Sequence, residues 1–146
     1  MTQEELLFQD LYARVPYGVK THYHYSNSLG RVLDEDRELD FSDIETLKYT
    51  IENPQDGWCE ISWMPYLRPM SSMTEEECDM VEEILGDNCI FDFMSNGDII
   101  LKQGQFSQKK LTKLYDYYNS IHIDYRGLIP IGLALEAPEG MYTLNK

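Results

Sequence analysis

Long apolar runs are missing from this chain. The most apolar stretch, Leu128 to Leu135, is eight residues long and is interrupted by Pro130 and Gly132. A membrane-crossing helix needs ~20 apolar residues, so no span is expected. Paired cysteines are missing too. Cys59, Cys78 and Cys89 form no CxxC, and an odd count leaves one thiol over in any disulfide scheme, which favours a reducing compartment. The first ten residues, MTQEELLFQD, carry acids where a secretory leader has a basic start and an apolar run, so no export signal is expected and the cytoplasm is the expected location. Positive charge is scarce: 12 Lys and Arg stand against 26 Asp and Glu, for a net charge of -14. Such a surface repels phosphate, which disfavours ordinary binding to DNA, RNA or anionic lipid. Repeats, low-complexity tracts and Pro/Gly/Ser-rich linkers are lacking as well, and 146 residues suit one domain over residues 1–146.

What is present supports a folded interior. Hydrophobic residues make up 42% of the chain and eleven tyrosines add large half-apolar rings, enough apolar surface to offset the entropy of ordering the chain. The charge is lopsided: residues 1–100 hold 22 acidic and 6 basic side chains, whereas residues 101–146 hold 4 acidic and 6 basic.

The patterning predicts an α+β fold, a small and mostly antiparallel sheet with about three helices packed on it. Thr2 and Glu5 have capping-box spacing, and Leu7, Leu11 and Val15 recur at helical intervals until Pro16. From Tyr17 to Tyr25 the period becomes two, with Val19, Thr21, Tyr23 and Tyr25 on one face and Lys20, His22 and His24 on the other, as in a half-exposed strand. Ser26-Asn27-Ser28 supplies a turn, and Leu29 to Leu33 reads as a returning strand. The run Asp34 to Asp40 reads as an exposed connection. Residues 44–51 fit either a helix, with Ser42 and Glu45 as its capping box, or a strand; the β-favouring Thr46, Tyr49, Thr50 and Ile51 tilt the reading to a strand. Trp58 to Trp63 reads as a further short strand.

Thr74 and Glu77 form the clearest helix start. Met73 is placed to staple onto Cys78, the stripe is Cys78, Val81 and Leu85, and Gly86 marks the stop. Ile90–Met94 and Ile99–Leu101 flank Asn96-Gly97, which predicts a hairpin with a type I′ turn. The last helix starts at Ser107, with Phe106 as a staple and Leu111, Leu114, Tyr115, Tyr118 and Ile121 as its apolar side. Lys109, Lys110 and Lys113 sit near its N-terminal end, where the helix dipole disfavours cations; they read as a solvated face, with an acidic docking partner as the alternative. Residues 124–142 read as irregular packed segments.

Three segments, LYARVPYGVK (11–20), PYLRPMSSMTEEE (65–77) and IHIDYRGLIPIGLALEAPEGMY (121–142), together resemble an uncharacterised family of small acidic proteins found in gut anaerobic bacteria, their phages and mobile elements. The resemblance implies that setting and carries over no functional residue. Read physically, the same segments are structural, with Arg68 and Arg126 as the cations expected in partly buried ion pairs.

Chemistry is thinly marked. His22 and His24, two apart on one strand face, have the spacing to place two imidazoles on a metal such as zinc, with His122 or a carboxylate completing the set. Asp34, Asp36, Glu38, Asp40, Ser42 and Glu45 fall at positions 1, 3, 5, 7, 9 and 12 of a calcium loop, but Leu39 stands where that loop needs glycine. Signatures for nucleophilic catalysis or phosphate binding (GxSxG, GxGxxG, GxxxxGK[ST]) do not occur, so no catalytic residue and no cofactor is named. The tyrosines 115, 117 and 118 offer stacking faces, without a basic groove to hold a nucleic acid. The leading expectation is a non-enzymatic protein that binds a protein partner through an acidic surface, Asp34, Glu35, Asp36, Glu38 and Asp40, in one form as a mimic of DNA. The rivals are a metal-dependent protein or enzyme using His22 and His24, and a structural homo-oligomer.

Overall fold

Helix formation begins where the side chains dictate. Thr2 accepts the Glu5 N–H at 3.1 Å while Glu5 accepts the Thr2 N–H at 2.8 Å, a reciprocal cap that opens α1 (Gln3–Arg14). Pro16 then tightens the chain into a 3₁₀ turn over Val15–Tyr17, and Gly18 reverses it at φ 70°. A Cβ at Gly18 would stand 2.6 Å from the Glu38 carboxylate, so glycine is needed there for space as well as for conformation.

A computed structural model describes residues 2–52, 59–86, 90–93, 99–103 and 107–142. Among the described residues the further strands and α-helices are β1 (Lys20–Asn27), β2 (Val32–Glu38), α2 (Phe41–Glu52), β3 (Cys59–Leu67), α3 (Glu75–Leu85), β4 (Ile90–Phe93), β5 (Ile99–Gln103), α4 (Gln108–Ser120) and β6 (Leu135–Glu136). The chain is α+β. Its contacts gather into two compact units, Met1–Tyr66 with Leu128–Leu135, and Leu67–Gly127 with Glu136–Lys146.

The first unit is organised by a sheet of order β2-β1-β3-β6. β1 is antiparallel to both neighbours, with His22 opposite Asp36 and Met64, and Tyr23 opposite Glu35 and Trp63. Side chains alternate across a strand, so Tyr23 and Trp63 share one face, their ring centroids 4.4 Å apart, while His22 and His24 share the other. Trp63, Val19, Leu11 of α1, and Ile44 and Leu47 of α2 are all buried. Within α1 the buried pair Asp10–Arg14 bonds at 2.9 Å, one helical turn apart.

Two readings of the sequence are corrected here. Residues 44–51 are helix, and the cap is neither Ser42 nor Glu45. Asp40 accepts the Asp43 N–H at 2.9 Å and Asp43 accepts the Asp40 N–H at 3.1 Å, so the helix starts two residues earlier, and the described residues hold four α-helices. The β-branched residues that favoured a strand are tolerated because Thr46 and Thr50 turn their hydroxyls back onto the Ser42 and Thr46 carbonyls. The acidic run is likewise no connection. It is β2, an edge strand paired with β1 from Val32 to Glu38, with every residue exposed.

In the second unit, α3 and α4 bury Val81, Leu85, Leu114 and Tyr118 together with Ile121 and Ile123, and Met73 packs against this cluster. Thr74 and Glu77 cap α3 as expected, and Ser107 caps α4. The Lys110 ammonium donates to the Leu85 carbonyl at 2.8 Å. That lysine therefore sits at the negative C-terminal end of α3, which offsets its unfavourable place at the start of α4. Gly86 leaves room for it: a Cβ there would meet Nζ at 3.2 Å. β4 and β5 pair antiparallel as the hairpin pattern predicts, Phe93 opposite Ile99, while the turn and the Phe106 staple lie outside the described residues. The tail forms turns and the short β6.

Two substitutions test these packing arguments. Arg14→Ala leaves the Asp10 carboxylate buried without its i+4 guanidinium and is expected to lower the unfolding free energy by about 3–5 kcal/mol. Asp40→Ala removes the α2 cap and is expected to cost about 1 kcal/mol. Urea denaturation of both variants checks the values, and an Asp40→Ala protein as stable as the parent would count against the capping role.

Candidate functional site

Because β1 and β2 are in register, the face opposite Trp63 collects Lys20, His22 and His24 from one strand and Asp34, Asp36 and Glu38 from the other. The His22 ring is held at both nitrogens, Nδ1 2.8 Å from Asp36 Oδ1 and Nε2 3.2 Å from Asp34 Oδ1. His24 Nδ1 lies 2.7 Å from the same Asp34 oxygen, and the Tyr66 hydroxyl of β3 donates to Asp36 at 2.8 Å. The result is one hydrogen-bonded patch over three strands.

The electrostatics follow from these contacts. The Asp36 hydrogen bond, reinforced by Asp34, raises the His22 pKa above the ordinary histidine value, against a smaller effect of burial. His24 and then His22 hold the Asp34 carboxyl below the usual range, and His22 with Tyr66 does the same for Asp36. Burial and the Asp36 carboxylate push the Tyr66 phenol up to about 12. The chemistry open to this patch is proton uptake and attraction of cations.

The other residues named from sequence are distributed differently. Glu35 points to the opposite face, 3.7 Å from Arg37, and Asp40 is committed to capping α2, where it also accepts the Ser42 hydroxyl at 2.6 Å. The calcium pattern is laid along a strand and a helix, so its carboxylates do not wind into a loop. The two imidazoles proposed for a metal face carboxylates, and among the described residues no group of three or more His, Cys, Asp or Glu is arranged to hold a metal ion. His122 belongs to the second unit, where it is buried, adopts φ 62° and stacks on Tyr142 with centroids 3.7 Å apart.

The second unit has its own polar centre. Arg68 forms a two-pronged bond with Glu77, 2.8 and 2.7 Å, and the same two terminal nitrogens also donate to the Ile121 and Ser72 carbonyls at 3.2 and 3.0 Å. Glu77 meanwhile accepts the Thr74 N–H, so one carboxylate serves both the helix cap and the guanidinium. An ion pair for Arg68 was expected; the sharing was not. Arg126 stands 4.6 Å from the centre of the Tyr125 ring, which stacks on Tyr115 and Tyr118. A cleft of about 330 Å³ opens beside Arg68, lined also by Ser72, Glu136, Glu139 and Tyr142. The Cys78 thiol is pushed up by burial and by the flanking Glu77 and Asp79, which makes it a poor nucleophile.

Sequence reasoning did not single out Asp10, Arg14 or Tyr66. The first two carried a signal, an acid and a base at i and i+4 beside the Leu7–Leu11 stripe. Tyr66 carried none, because its partner lies thirty residues away in sequence.

The Arg68–Glu77 pair makes a signed pH prediction. Burial alone would raise the Glu77 pKa, but Arg68 and the Thr74 N–H outweigh it and hold the carboxyl low. The pair's stability is therefore present above the unfolded glutamate value, ~4.3, and is lost as pH falls through the lower folded value. Glu77→Gln is expected to flatten the acid limb of a stability-against-pH curve and to destabilise at neutral pH by about 3 kcal/mol; an unchanged acid limb would contradict the assignment.

Comparison of the chain with protein-family models, with curated proteins and with solved structures finds no match. No helix among the described residues is long and apolar enough to cross a membrane.

Proposed function

We propose that this chain is a non-enzymatic binding protein, an accessory of the phage or mobile-element type, that docks on a cationic protein surface through its acidic edge strand. One observation carries the reading: β2 sits at the end of the sheet order with all seven residues exposed, and four of them are Asp34, Glu35, Asp36 and Glu38. A strand repeats a face every second residue, about 6.8 Å, so Asp34, Asp36 and Glu38 form a regular row of carboxylates. Such a row favours arginine and lysine side chains over phosphate. Its regular spacing also suits imitation of a nucleic-acid backbone toward a nucleic-acid-binding protein.

Pull-down from a bacterial lysate at low and high salt tests the proposal, with Glu35→Lys/Glu38→Lys as the control. Basic proteins are expected to be retained at low salt, to be lost at least about tenfold at high salt, and to be lost equally by the double variant. Retention that is indifferent to both salt and the substitutions, or no retention at either salt, would overturn it.

A further inference from the structure

A neutral imidazole has one N–H, and its other nitrogen presents a lone pair. His22 faces a carboxylate oxygen at each nitrogen, 2.8 Å away on Asp36 and 3.2 Å away on Asp34. Only the imidazolium donates to both. When neutral, one of the two contacts sets a lone pair against a carboxylate oxygen.

We propose that His22 is a proton-operated clasp that fastens the edge strand β2 onto β1. Protonated, it bridges two carboxylates of β2 and cancels part of their mutual repulsion; deprotonated, it lets go of one of them and restores that repulsion. β2 is the strand this would move, since all of its residues are exposed and it lies at the edge of the sheet. The groups facing His22 are Asp34 and Asp36, with Glu38 farther along β2, Lys20 and His24 along β1, and Tyr66 from β3, where the uncharged Met64 lies directly opposite. His24 bonds Asp34 as well, so that carboxylate keeps a partner when His22 is neutral.

The folded pKa of His22 is raised, so its contribution is complete below the unfolded value of ~6.5 and disappears as pH rises through the folded value. Asp34 and Asp36 are lowered, so theirs is present above ~3.9 and disappears as pH falls through their folded values. The clasp is closed between about pH 4 and pH 6.5 and opens above it.

The inference goes beyond the proposed binding role and is tested without a partner. Long-range ¹⁵N NMR of the intact protein, with His24→Gln to assign the ring signals, gives the His22 midpoint, and amide exchange gives the protection of β2 relative to β3. His22 is expected to titrate above ~6.5 and to move back toward it in Asp36→Asn. The relative protection of β2 should fall about two- to fivefold between about pH 5.5 and about pH 8.5, as suits an ion pair near the surface, and the fall should vanish in His22→Gln. A midpoint at or below ~6.5 would overturn the clasp, and so would β2 protection that stays constant through the titration; Asp36→Asn and the parent protein suffice if His22→Gln does not fold.

Discussion

The constraint on which this structure depends is the shortage of cations. With 26 carboxylates and 12 Lys and Arg, few charges can leave water, and each that does needs a particular partner. The buried cations are placed accordingly. Arg14 lies against Asp10 inside the first unit, and Arg68 locks Glu77 to the Ile121 and Ser72 carbonyls in the second. Lys110 is spent on a helix end. Other acids stand exposed, Glu75 and Glu76 in a first turn, where the helix dipole favours them, and Asp34, Glu35, Asp36 and Glu38 along β2.

That arrangement explains what was legible in the residues. Helix starts could be read because a cap is local: Thr74 and Glu77 are three apart and bond as their spacing predicts. The β4–β5 pairing was legible for a similar reason, since two apolar runs flank a short polar connection. The α2 segment misled because Asp40 was read as the end of a solvated run and Asp43 was given no role, which hid the cap the two form. β2 misled because its sequence has almost no apolar face. It is strand through its backbone pairing with β1, and the hydrogen-bond ladder does not depend on side-chain hydropathy.

The patch itself was half visible. Alternation placed His22 and His24 on one face, and the acidic run was noted, but facing the two across a ladder takes the β1–β2 register, which a single sequence does not supply. Once that register is known, the histidines read less as isolated metal ligands than as the counter-charges of an acidic strand. On the proposed reading the same carboxylates would serve two ends, attraction of a cationic surface and response to protons, and the second would modulate the first because a protonated His22 subtracts from the negative field of β2.

The free edge of β2 has one more effect. An open strand is a template on which further copies of a chain can stack, and fibrils grow by that route. Here a second copy arriving at the edge would bring its own Asp34, Glu35, Asp36 and Glu38 against the first set, and like charges at strand separation repel. Carboxylates in that position disfavour pairing with an identical strand and would favour a chain of opposite charge.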